Sequence, residues 1–215
     1  MLVDSQARLI KDFKTYSFDS ARLKALAIHD ENLAVVGHLI PVGLWIETHS
    51  HLITNISEWR ARDMKNYLIQ FDSTFEKTKA YLMERSIKQT DRLLFLIFDV
   101  AENFIGHLGL SKVSEVTAEL DNLMRGNPGG PKNFMELAEK TVIEFAFEEL
   151  QVKCISLRVL SFNFLAISIH QRLGFVLSER EFLKKKIEDG EVRYEPATRE
   201  ESDVNFTCLI MNKSR

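Results

Sequence analysis

Apolar positions recur with two different periods along this chain, and each change of period marks a new element. Leu93 to Asp99 is an almost unbroken apolar run, Leu-Leu-Phe-Leu-Ile-Phe-Asp, which reads as a buried strand. Ala101-Glu-Asn is a turn and Phe104 to Leu110 the next strand, so the two are expected as a hairpin. Strict alternation places His107 on the face opposite Phe104, Gly106 and Leu108. Val116 to Arg125 is a further strand, with Ala118, Leu120, Asn122 and Met124 on one face and Glu119, Asp121, Leu123 and Arg125 on the other. Beyond it the period lengthens. Phe134, Leu137, Ala138, Thr141, Val142, Phe145 and Ala146 form one wide face of a helix from about Asn133 to Leu150, a core face. Ile155 to Leu160 is the following strand.

Earlier in the chain, Ser57 has the chemistry of a helix N-cap, and Ser73-x-x-Glu76 reads as a capping box opening a second helix. Residues 1–56 are read as an N-terminal extension: a short helix over Ser20 to His29, then one or two strands between Leu33 and Glu47, including the first strand of the domain. Residues 57–215 are the main domain, the whole forming a single globular unit. The extension is either a dimerisation element, making a homodimer, or one wall of a substrate site. Near the C-terminus, Lys184-Lys185-Lys186 reads as a solvated strand edge, Asp189-Gly190 as a turn, and Phe206 to Met211 as a last strand pairing with the one around Phe182.

Composition narrows the function. The 215 residues include 28 basic and 31 acidic side chains, net charge −3, which argues against a broad nucleic-acid surface. No apolar run approaches a membrane span, and Met1-Leu-Val-Asp does not open a signal sequence. Cys154 and Cys208 sit apart in apolar runs as two buried thiols, so no metal is expected from them, and a reducing, cytoplasmic setting fits. His49 and His51 are two apart and read either as metal ligands on one strand face or as polar loop residues, a third ligand being absent nearby.

The chemistry gathers between Ala118 and Phe175. Gly129 and Gly130 permit a tight turn between a strand and a helix. A helix start there offers unpaired amides and a positive dipole end to an anion, with Lys132 at the mouth. Alone, such a turn is also an ordinary loop. The run Asn163-x-x-Ala166-Ile167-x-x-His170-x-x-x-Gly174-Phe175, however, resembles the Asn-x-x-Ala-Ile-x-x-Tyr-x-x-x-Gly-Phe pattern of the GNAT superfamily of acyl-CoA-dependent N-acetyltransferases. The strand and glycine turn upstream resemble that superfamily's pyrophosphate motif. Ile105-Gly106-His107-Leu108-Gly109-Leu110 and Trp59-Arg60-x-Arg62-Asp63 resemble its ribosomal N-acetyltransferase branch. The likeness spans Trp59 to Phe175, and the tail more loosely. Two departures stand out. The usual Arg/Gln-x-x-Gly-x-Gly/Ala turn is here Arg125-Gly-Asn-Pro128-Gly-Gly-Pro131, whose prolines lack amide hydrogens, and His170 replaces tyrosine.

The resemblance implies an α/β GNAT fold with a mixed central sheet splayed around acetyl-CoA, a co-substrate, flanked by helices. It implies pantetheine in a gap lined by Leu123, Met124 and Arg125, and diphosphate on the turn near Gly129, Gly130, Lys132 and Asn133. Asn163 would contact pantetheine or the acceptor, cap its helix, or both. Trp59, Arg60 and Arg62 would face the acceptor, unless Trp59 anchors its helix and the arginines are solvated. His107 would look into the cleft or pack quietly. An amine must lose a proton to attack, and a thiolate must leave. His170 is the candidate acid, unless the thiolate leaves unaided. Glu119, then Asp121, are the candidate bases, unless they bind the substrate ammonium or are solvated. The wording of Ala118-Glu-Leu-Asp-Asn122 resembles amino-sugar acetyltransferases, so the expected partner is a small amine, an amino sugar or sugar nucleotide. The rivals are a protein N-terminal acetyltransferase and a degenerate acyl-CoA-binding module. Neither nucleic acid nor membrane is an expected partner.

Overall fold

The computed structural model of the chain describes residues 2–67, 69–70, 72–188 and 191–212, with backbone alone at Ile69, at 207–209 and at Asn212. The expected Asp189-Gly190 turn and the burial of Cys208 fall outside the described residues. Helices α1 (Asp4–Thr15) and α2 (Phe18–Leu23) lead into strands β1 (Leu26–His29) and β2 (Val35–Pro41). Then come α3 (Ser50–Arg62), the short strand β3 (Ile69–Gln70) and α4 (Phe75–Tyr81), prolonged by a π-helical turn over Leu82–Ile87. The central run is β4 (Leu93–Asp99), β5 (Phe104–Ser111), β6 (Thr117–Arg125), α5 (Phe134–Glu148), β7 (Cys154–Leu160) and α6 (Phe164–Arg172). Strands β8 (Val176–Glu188), β9 (Glu191–Pro196) and β10 (Val204–Asn212) complete the chain.

The described strands form one ten-stranded sheet in the order β1-β2-β4-β5-β6-β7-β10-β8-β9-β3. Neighbours are antiparallel except β6 with β7, which are parallel. Each face of the sheet carries a core. Leu93, Phe95 and Ile97 of β4 point to α1 and α5, while Leu94, Leu96 and Phe98 point to α3 and the turn after α4. This is the two-sided burial that makes β4 read as an unbroken apolar run. The segment expected as an extension is woven into the same sheet, β1 pairing with β2 and β2 with β4. The expected boundary at residue 57 falls inside α3.

Several local expectations change for identifiable reasons. Ser57 is not an N-cap: it is buried in α3, where its hydroxyl donates to the Ser73 carbonyl at 3.2 Å. Thr74, not Ser73, caps α4 by accepting from the Lys77 amide. The helix expected over Ser20 to His29 stops at Leu23, because residues 26–29 gain a partner strand and bury Ile28 completely. Lys184 to Lys186 are exposed but not on an edge, since β9 pairs with them. The tail expectation holds: β10 pairs with β8, Asn205 lying opposite Phe182.

Two β-bulges matter most. One shifts the β4–β5 register near Phe104, so Phe104 and His107 share the α3–α4 face instead of opposing one another. The other lies in β6, where Asn122 takes φ +55° and the β5–β6 register slips by one. An extra residue inverts the parity of everything after it. Ala118, Leu120 and Leu123 therefore pack toward α5, while Asn122 and Met124 turn to α3 and α4, correcting the simple alternation.

Candidate functional site

The parallel ladder between β6 and β7 is short. It pairs Thr117, Ala118 and Glu119 with Cys154, Ile155 and Ser156. Beyond that point β6 runs on to Arg125 and β7 to Leu160, held by β5 and β10 on their outer sides. The inner backbone groups of residues 120–125 and 157–160 thus border a gap, and such groups need partners. An extended, amide-bearing thread would supply them.

At the head of the gap the chain turns into α5. Gly129 has φ +150° and Gly130 φ +64°. A Cβ at Gly130 would lie 2.4 Å from the Phe134 ring, and one at Gly126 only 2.0 Å from Trp59. Trp59 is buried and also packs on Phe104. Arg62 donates to the carbonyls of Gly126 and Arg125 at 3.0 and 3.1 Å. These two α3 residues pack against and hydrogen-bond to the turn. The side chain of Arg125 donates back to the Gly129 carbonyl.

Most amides of the turn are already engaged. Those of Gly126 and Asn127 donate to the Ile105 carbonyl, and that of Gly130 donates to the Asp99 carboxylate. Burial pushes the Asp99 carboxyl up, but donors from the Asn103 side chain and from the amides of Asn103, Ala101 and Gly130 outweigh it and hold the pKa below the usual value. What remains for an anion is the start of α5. The first helical bond runs from Leu137 to Asn133, so the amides of Met135 and Glu136 lack helical acceptors, and Lys132 and Asn133 are exposed beside them. The gap and this helix start fit the arm and diphosphate of an acyl-CoA.

The expected acid–base groups are held by neighbours. Glu119 sits between Lys112 at 2.7 Å and Arg158 at 3.1 Å. Asp121 pairs with Arg92 at 2.9 Å. His170 is buried, with Nδ1 2.5 Å from an oxygen of Glu139 on α5. Glu139 is completely buried and was not anticipated, though it lies on the apolar stripe of α5 with Met135, Val142 and Ile143. Burial raises its pKa, and the His170 ring pulls it partly back. Asn163 caps α6, accepting from the Ala166 amide at 3.3 Å.

A separate narrow recess, with a cavity volume of about 20 Å³, opens between α3, α4 and the sheet. Helices contribute Ile56, Arg60, Lys77, Thr78 and Tyr81; Tyr67, Leu82 and Leu94 close it; His107 and Asn122 form its floor. The Arg60 guanidinium lies 4.3 Å from the centre of the Tyr67 ring, and Tyr81 donates to Asn122 at 3.0 Å. Of the sequence-derived candidates, Arg60 and His107 meet here; Trp59, Arg62, Glu119, Asp121 and His170 do not. Tyr67, Lys77, Thr78, Tyr81 and Asn122 emerge only in the fold. The His49 ring contacts the Trp45 carbonyl at 2.9 Å, and among the described residues no group of three side chains is placed to hold a metal.

The sheet is forked between two parallel strands, a helix start with unpaired amides stands at the head of the fork, and a recess opens across the sheet, an arrangement that suits a transferase using an acyl-CoA. Residues 46–176 match the family model described as the acetyltransferase (GNAT) domain, and the chain belongs to that family: it is an acetyl-CoA-dependent N-acetyltransferase. Its fold is similar to a probable GNAT-family acetyltransferase from Chromobacterium violaceum, with a TM-score of 0.64 and 16% identity over 87% of this chain and 86% of that one. It is also similar to the N-acetyltransferase PseH from Campylobacter jejuni, with a TM-score of 0.52 and 18% identity over 77% and 92%. Spermidine N-acetyltransferase from Vibrio cholerae, solved with CoA and spermine, matches with a TM-score of 0.57 and 14% identity over 77% and 90%. No curated protein matches the chain. Among the described residues no helix is long and apolar enough to cross a membrane.

Proposed function

We propose that the acetyl acceptor is a primary amine carried by an amino sugar or a sugar nucleotide. The observation that carries this reading is the charge of the recess. Its charged lining is Arg60 and Lys77, and no carboxylate lines it among the described residues. A polyamine would meet like charges there, whereas a phosphorylated or acidic ring would meet opposite ones. The faces of Tyr67 and Tyr81 suit a ring. Burial raises both phenol pKa values, so the two hydroxyls stay neutral donors. Thr78, Asn122 and His107 supply the kind of polar contact that sugar hydroxyls use.

Acetyl-CoA brings the activated acetyl group. In this reading residues 123–125 border its pantetheine arm, while the start of α5 with Lys132 and Asn133 receives the diphosphate, and Gly129 and Gly130 shape that approach. The chain's own part is to hold the amine beside the thioester, which accounts for much of the rate in a two-substrate reaction. A peptide acceptor would need an open groove beside the tail hairpin. That hairpin instead pairs with β3 through β9, directly after Tyr67, which supports a small acceptor.

The test is thiol release from acetyl-CoA with a panel of amines: free amino sugars, nucleotide-linked amino sugars, spermidine and short peptides with free N-termini. The expected result is a kcat/KM at least about ten-fold higher for a sugar-borne amine than for spermidine or any peptide. Faster turnover of a polyamine or a peptide overturns the reading.

A further inference from the structure

His107 is a polar side chain buried in the floor of the recess, 5% exposed, with one ring nitrogen engaged and the other not. The ring N–H donates to the Asn122 backbone carbonyl. Nδ1 has no partner among the described residues, so the bond to Asn122 is made by Nε2 and fixes the lone pair on Nδ1. A buried acceptor left unsatisfied costs stability and calls for an explanation. In the same recess the Thr78 hydroxyl is likewise buried without a partner among the described residues. His107 is also the cross-strand neighbour of Met124, which borders the β6–β7 gap, so the single strand β6 separates its ring from the fork.

We propose that Nδ1 of His107 accepts a hydrogen bond from the attacking amine and takes its proton as the carbon–nitrogen bond forms. This rests on the recess being the acceptor site. The nitrogen gains a bond to the acyl carbon and gives one proton to Nδ1. The acyl carbon releases the C–S bond, and the departing thiolate takes a proton back from the imidazolium or from water. The carboxylates that would otherwise serve are engaged by Lys112, Arg158 and Arg92.

The groups facing the imidazole are Arg60 from α3, Tyr67 after it, Lys77 and Tyr81 from α4, and Asn122 from β6. None is acidic at neutral pH. Burial, opposed by the Asn122 carbonyl and aided by the Arg60 charge, lowers the His107 pKa to about 4, so the lone pair is available throughout the neutral range. So weak a base does not deprotonate a free ammonium. It takes a proton only from a nitrogen made acidic by bonding to the acyl carbon. The acid limb of kcat/KM therefore follows the ionisation of the acceptor amine and changes when the amine changes.

The experiment uses the full chain, acetyl-CoA and whichever amine of the panel turns over fastest. His107→Asn keeps an acceptor oxygen near the Nδ1 position but cannot carry the proton. It is expected to lose about 10²- to 10³-fold in kcat while the acceptor KM stays within about three-fold. His107→Ala is expected to fall as far, with added imidazole restoring about ten-fold or more. Calorimetric affinity for coenzyme A stays unchanged in both. Wild-type kcat in either variant, or a His107→Ala protein that binds coenzyme A yet ignores imidazole, overturns the proposal. Should His107→Ala fail to fold, His107→Asn decides alone. A non-sugar amine as the fastest substrate would sink the sugar reading and leave this test in force.

Discussion

The two faces of the sheet each bury a histidine to the same degree, 5% exposed, and provide for it in opposite ways. On the α5–α6 side, His170 meets Glu139, a carboxylate with no exposure at all. On the α3–α4 side, His107 meets aromatic rings and cations, with one nitrogen unanswered. A closed pair inside a core holds two helices together and leaves little lone-pair capacity for chemistry. An open nitrogen at the floor of a recess is a cost that a ligand can remove. The position that the superfamily pattern marks for an acid is here paired with a buried carboxylate, while the unpaired ring nitrogen lies on a strand, outside the Asn163 to Phe175 run.

The sharpest way to break this contrast is to remove each imidazole and measure stability by urea denaturation. His170→Ala leaves Glu139 buried and uncompensated, and the expected loss is about 3–5 kcal/mol. His107→Ala removes a group that was already half unsatisfied and is expected to cost less than half as much. The pH dependence carries a sign. A raised glutamate pKa gives stability that is present below the usual glutamate value and lost as pH rises through the folded one. Without His170 to pull it back, the Glu139 shift grows, so the deficit of His170→Ala should widen from mildly acid to neutral pH. Equal losses for the two variants, or a deficit independent of pH, would erase the distinction.

The next largest effect concerns the seam between the two faces. Asp99 gathers the amides of Ala101, Asn103 and Gly130 beneath the glycine turn. Asp99→Ala is expected to cost about 2–3 kcal/mol and to raise the KM for acetyl-CoA while leaving the acceptor KM in place. Because the Asp99 pKa is held low, its contribution is present above the usual aspartate value and lost as pH falls through the folded one. Wild type and variant should therefore converge in stability in strong acid. A rise in the acceptor KM instead would show that the turn serves the recess.

How much of this was legible in the sequence depended on whether a feature is local. Leu93 to Asp99 and the α5 stripe announce themselves, because burial on a strand or a helix imposes a period of its own. The Asn163 to Phe175 run carried the family. The bulge at Asn122 did not show: one residue at positive φ inverts the parity of β6, and nothing in the composition of Glu119 to Arg125 marks where it falls. Glu119 and Asp121 do not line the recess, and the cations that hold them come from parts of the chain distant in sequence or outside β6: Lys112 from the loop after β5, Arg158 from β7 and Arg92 from the residue before β4. Glu139 was readable in principle, as a carboxylate on an apolar stripe. Tyr67 and Thr78 were not, since only the packing of α3 and α4 against β5 brings them to His107.

The smallest effect tests the acceptor side alone. Arg60 stacks on Tyr67 at 4.3 Å and faces Tyr81 at 5.9 Å. Removing it as Arg60→Met keeps an apolar stem but deletes the charge that favours an anionic acceptor and disfavours a cationic one. The expected change is a rise of about five- to ten-fold in the acceptor KM, on the scale of one cation–π or charge contact, with kcat and the acetyl-CoA KM nearly unchanged. Discrimination against spermidine should shrink at the same time. The same substitution removes one of the influences that lower the His107 pKa, so the imidazole becomes a somewhat better base even as the amine binds less well. A KM effect without a kcat loss is thus the signature of a residue that selects the acceptor, whereas a kcat loss with KM intact is the signature expected at His107→Asn. If Arg60→Met instead lowers kcat and spares KM, the recess does not recognise charge, and the case for an anionic acceptor goes with it.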